Sequence, residues 1–104
     1  MKTVTETANG TTIALDLNAS VELQLPEART SGYRWTAEDA GAPVVQIEDR
    51  GTTLPHGRTG GQALHVWLLT ARQPGEVRLR LRQSRPWEPA GSGTLFTITL
   101  SVRP

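Results

Sequence analysis

The sequence contains no cysteine, which excludes a disulfide framework and a thiolate metal site and leaves packing and hydrogen bonds to hold the chain together. An excess of one charge is missing as well. Eleven basic residues stand against ten acidic ones, so the sequence-independent attraction that nucleic-acid binding rests on has little to work with, and no nucleic-acid partner is expected. Long apolar runs are absent. The segment 1–10 is polar, neither a signal-peptide core nor a membrane span, and no membrane partner is expected. The expected compartment is periplasmic or secreted where a signal segment has been removed, and cytoplasmic otherwise. Histidine is scarce. With only His56 and His65, no cysteine and no serine evidently beside either, a nucleophile with its base and orienter cannot be assembled, and no H-E-x-x-H spacing offers a metal site. No catalytic residue, metal or cofactor is expected, and the chain does not read as an enzyme.

What the sequence does have is a period of two. At 104 residues it matches one domain, 1–104, with a single core, and a monomer is favoured. Ile13, Leu15 and Leu17 alternate with Ala14 and Asp16, and Val21, Leu23 and Leu25 alternate with Glu22 and Gln24. Each run fits a strand with one buried face. Val77, Leu79 and Leu81 alternate with Arg78, Arg80 and Arg82, and Phe96, Ile98, Leu100 and Val102 with small hydroxyl residues. Weaker strands are expected over 33–37, 44–48 and 63–71, the last apolar on both sides, with Pro74-Gly75 turning the chain out of it. The fold class that follows is all-β, an immunoglobulin-like antiparallel sandwich of about seven to eight strands without a disulfide. Largely buried positions are expected at Tyr33, Trp35, Val66, Leu68, Val77, Leu79, Leu81, Phe96, Ile98 and Leu100. In strand 63–71 the inward set is open, because Ala63, His65, Trp67 and Leu69 serve the alternation equally well.

Three connections are richer in special residues than turns require. In the first, Pro26 is expected to stop the preceding strand, Glu27, Ala28, Arg29, Thr30 and Ser31 follow, and Gly32 permits a positive φ on re-entry. The second runs Pro55-His56-Gly57-Arg58-Thr59-Gly60-Gly61, where paired glycines leave the backbone bare; no GK[ST] follows to make it a phosphate cradle. The third is Arg85-Pro86-Trp87-Glu88-Pro89, a tryptophan between two prolines that hold the chain still. Trp and Arg are enriched in interface hot spots, so Trp87 either stands out to meet a partner or folds back to cap the sandwich.

Order and spacing of these loops resemble the chagasin family of cysteine-protease inhibitors. That family carries an asparagine-proline-threonine-threonine-glycine loop, a glycine-x-glycine-glycine loop and an arginine-proline-tryptophan loop on an immunoglobulin-like sandwich. Here they correspond to Ala28, Arg29, Thr30, Ser31 and Gly32, then Arg58, Thr59, Gly60 and Gly61, then Arg85, Pro86 and Trp87. Ala28 and Arg29 stand where the family has asparagine and proline, and Arg58 where it has glycine; these departures bear on potency and target range. The resemblance implies a reversible inhibitor of papain-like cysteine proteases, with the first loop entering the active-site cleft and the others gripping its walls. The alternative on residue chemistry is a sandwich module that binds carbohydrate or an adhesion partner, for which an exposed Trp87 would serve equally well.

Overall fold

Alternating sequence becomes eight strands in a computed structural model that describes residues 2–27, 31–53, 63–89 and 91–104. They are β1 (Lys2–Thr5), β2 (Thr12–Asp16), β3 (Ser20–Glu27), β4 (Arg34–Asp39), β5 (Val45–Thr53), β6 (Ala63–Ala71), β7 (Gly75–Ser84) and β8 (Thr94–Arg103), with a short 3-10 turn over Glu6–Ala8. One four-stranded sheet has the order β1-β3-β6-β5 and the other β2-β8-β7-β4. The inward residues of both interdigitate in one core, including Leu23, Leu25, Trp67 and Leu69 from the first sheet and Leu79, Leu81, Ile98 and Leu100 from the second. This is the expected sandwich.

Its sheets are mixed, however, where purely antiparallel ones were expected. β1 runs parallel to β3, and β2 parallel to β8. The reason is the connection: after β1 the chain crosses to the other sheet for β2 before returning as β3, and a strand that returns through a crossover arrives pointing the same way. β1 itself was not foreseen, because only Val4 in it is buried and one apolar residue makes no alternation.

The open question in β6 is settled by its neighbour. Leu25 pairs with His65, Leu23 with Trp67 and Val21 with Leu69, and directly opposed residues share a face. His65, Trp67, Leu69 and Ala71 therefore point inward, while Val66 and Leu68 are half-buried on the outer face, which corrects the expectation for those two. Tyr33 and Val77 are likewise only half-buried, Tyr33 because it precedes β4 at the sandwich end and Val77 because it lies near the far end of β7. Pro26 does not stop its strand; β3 continues to Glu27. β1 pairs only as far as Gln24, so Pro26 lies beyond it at a free edge, where a missing N–H leaves no ladder bond unmade. The weaker strands extend beyond 33–37 and 44–48, to Asp39 and Thr53.

Candidate functional site

Register alone brings the three connections to one end. Glu27, where the first begins, pairs with Ala63, where the second ends; Arg34, where the first ends, pairs with Ser84, where the third begins. Thr53 pairs with Leu64 and Gln83 with Thr94, which closes the second and third connections at that same end. Of the expected site residues, Ser31, Gly32, Arg85, Pro86 and Trp87 are described. Ala28, Arg29, Thr30, Arg58, Thr59, Gly60 and Gly61 lie outside the described residues, as does His56.

The third connection presents its tryptophan. Trp87 is 69 % exposed, so it does not fold back into the core. Its ring lies over the first connection instead: a Cβ on Gly32 would come within 2.5 Å of the ring tip, and Gly32 has φ +86°. Only glycine meets both demands, the left-handed backbone and the space for the indole. Behind the ring, the Arg85 guanidinium sits 4.3 Å from the Tyr33 ring centre and 5.9 Å from that of Trp87, near enough for cation–π attraction to both. Arg85 Nε is buried and makes no hydrogen bond among the described residues. The loop's own turn is fixed by the Glu88 N–H donating to Arg85 O at 3.1 Å and the Arg85 N–H donating to the Glu88 carboxylate at 3.3 Å. Its return is fixed at Gly93, where a Cβ would clash with the backbone carbonyl of Gln83.

Beneath the first and second connections lies a group of ionisable residues that the loop motifs do not signal. Glu27 is fully buried at the inward end of β3. Its Oε2 accepts from the Trp35 N–H at 2.8 Å and faces His65 Nδ1 at 3.0 Å, while His65 Nε2 faces Asp49 Oδ1 at 2.8 Å. The imidazole stacks on Trp67, centroids 4.1 Å apart and planes 1° from parallel. Trp67 in turn packs nearly perpendicular to Trp35, whose Nε1–H donates to Pro26 O at 2.9 Å. Asp49 sits where β5 shifts register against β6 and also accepts from the Gly51 N–H at 2.8 Å. Partial burial raises its pKa, but the Gly51 N–H and His65 outweigh that, and the carboxyl is held below its ordinary value. A signal for Glu27 was present in the sequence: it continues the inward series Val21, Leu23, Leu25.

The two carboxylates approach opposite nitrogens of one ring. No cluster fit to hold a metal occurs among the described residues. What the end of the sandwich can do is present an exposed aromatic ring and a cation on loops held from below.

Comparisons with known proteins agree with that chemistry. The family model for chagasin family peptidase inhibitors matches residues 14–102. Amoebiasin-1 of Entamoeba histolytica is 29 % identical over 101 residues, covering 96 % of this chain and 98 % of that protein. Chagasin of Trypanosoma cruzi is 26 % identical over 105 residues, covering 95 % and 96 %. Among solved structures, the cysteine protease inhibitor EhICP2 from Entamoeba histolytica superposes with a TM-score of 0.81 at 20 % identity, covering 98 % of this chain and 94 % of that one. PbICP-C, solved in complex with falcipain-2, shares the fold at a TM-score of 0.70 and 14 % identity, covering 99 % and 100 %. A family model matched across most of the chain, on a sandwich whose loops converge at one end, shows that this protein belongs to the chagasin family of peptidase inhibitors.

Proposed function

We propose that the protein is a reversible inhibitor of papain-like cysteine proteases that docks through the three connections at one end of the sandwich. The observation that carries this reading is Trp87, exposed on a braced loop and resting on Gly32 of the neighbouring connection. In this reading the first loop, through Thr30, Ser31 and Gly32, enters the cleft beside the catalytic cysteine and histidine. It is tethered by strands on both sides and is not laid through the cleft as a substrate would be, so no scissile carbonyl reaches attack geometry. Inhibition then needs no chemistry from the inhibitor. Trp87 with Arg85 and Pro86 grips one wall, and Arg58, Thr59, Gly60 and Gly61 approach the other through nearly bare backbone. A third loop already braced loses little entropy on docking, which helps an interface of about 1,600 Å² reach an affinity of about −12 kcal/mol. Family membership favours this reading over a carbohydrate or adhesion module.

Papain titrated with the parent protein, Trp87→Ala and Thr30→Trp tests it. The parent should inhibit hydrolysis of a small substrate, Thr30→Trp should abolish inhibition by placing bulk at the tip of the wedge, and Trp87→Ala should weaken it. Unfolding curves run in parallel separate loss of docking from loss of fold. If both variants remain folded and inhibit like the parent, the three-loop mechanism is wrong.

A further inference from the structure

We propose that Glu27, His65 and Asp49 share one proton, and that this relay positions the first two loops so that affinity for the protease follows its protonation. Both ring nitrogens of His65 face a carboxylate oxygen, Nδ1 toward Glu27 at 3.0 Å and Nε2 toward Asp49 at 2.8 Å. A neutral imidazole has one N–H, so it donates to one carboxylate and turns a lone pair toward the other. Two acceptors at such a distance repel. On the Glu27 side that repulsion falls in a fully buried site, where bulk solvent screens it little. Both contacts are favourable only with one more proton, on the ring or on a carboxyl, which lowers the negative charge of the three groups by one. The Trp35 N–H donated to Glu27 does not remove the need, because it leaves both ring contacts as they are.

Among the described residues, the groups that face His65 come from three strands. β3 contributes the Glu27 carboxylate, β5 the Asp49 carboxylate and β6 itself the stacked Trp67 ring, and no cationic side chain among the described residues bonds the imidazole. Facing these across the sandwich is Trp35 of β4, whose N–H binds Glu27 and whose ring meets that of Trp67 at nearly a right angle.

Position turns the shared proton into a loop device. Glu27 ends β3 where the first connection leaves, and the Trp35 N–H it holds lies just past the point where that connection returns. His65 lies on the strand by which the second connection returns, and Asp49 at the irregularity of the strand by which it departs. Once the relay proton is lost, the Asp49 bond yields first, because that side chain is 60 % exposed and can turn to water while Glu27 cannot. The outgoing base of the second loop is then released. These residues act through the loops and touch no protease, so they are positioning residues.

The inference rests on the protease-inhibitor reading, and its test separates the two. Glu27→Gln and Asp49→Asn each place an amide, which can donate or accept, beside the ring, so neither variant needs the extra proton. Inhibition constants against papain are measured for the parent and both variants at steps from about pH 5.5 to 8.5; the ratio of parent to variant cancels the protease's own titration. The ratio should climb with pH by about threefold or more for both variants, as expected when one proton is linked to binding. In the free parent, the ring nitrogens of His65, followed by 15N NMR, should titrate together with the Trp35 amide, and in the variants they should not in the same window. Ratios flat with pH would overturn the relay and leave the inhibitor intact. A parent that inhibits papain at no pH would overturn the inhibitor reading, and the coupling to affinity with it, while the ring titration stood unaffected. Should Glu27→Gln fail to fold, the exposed Asp49→Asn carries the test alone.

Discussion

The first and third loops are held by opposite kinds of physics. At the base of the first, a buried carboxylate collects a backbone N–H and an imidazole, and three strands converge on that one group. Among the described residues the third has no such anchor; it is stiffened locally, by its prolines, by the Glu88 bonds and by an exposed indole lying on Gly32. Damage at the first base therefore spreads into the fold, whereas damage at the third stays at the surface. Stability and binding should separate along that line.

Glu27→Ala should show the largest effect. It leaves the Trp35 N–H and His65 without their partner in a buried place, and losses of this kind are about 3 kcal/mol. Denaturant unfolding should register the loss directly, and a shift under about 1 kcal/mol would mean that the two sites are not held differently. Trp87→Ala should do the reverse, with stability nearly unchanged and docking weakened by about 2 kcal/mol, the range of an interface hot spot. Equal effects on both measurements would erase the contrast. Gly32→Ala falls between. A residue with Cβ at φ +86° is strained by about 1 kcal/mol, and the movable indole gives way at its tip, so a modest loss of stability should accompany a Trp87 fluorescence shift.

Much of this was legible in the sequence, and what was not has identifiable causes. β2, β3, β7 and β8 announce themselves because each has one apolar and one polar face. β6 does not, since a central strand apolar on both sides carries no phase of its own and takes its register from β3. The parallel pairs are invisible for a similar reason: alternation reports which face is buried and says nothing of which neighbour lies alongside. Loop 3 was readable as a rigid presenter of Trp87, but its rest on Gly32 joins residues distant in sequence that no local pattern links. Glu27 is the instructive miss. Next to Pro26 it reads as the start of a loop, and a lone acidic residue suggests solvent, yet the alternation of β3 already assigned it inward.

The smallest expected effect lies at the exposed end of the relay. Asp49 is held below its ordinary value of 3.8 in the fold, because the Gly51 N–H and His65 favour its ionised form more than partial burial opposes it. A carboxyl with a lowered folded-state pKa contributes stability that is fully present above its unfolded pKa and is lost as pH falls through the lowered value. The window therefore opens near pH 4 and extends downward. Its size is limited, since the side chain is 60 % exposed and water screens much of the attraction, which leaves a few tenths of a kcal/mol. Unfolding curves of the parent and Asp49→Asn should therefore differ slightly at about pH 7 and converge at about pH 3, with the parent losing its small advantage on acidification. A gap that widened as the pH fell from about 4 to about 3 would put the sign of the Asp49 interaction in reverse, and would move the anchor of the second loop away from the relay.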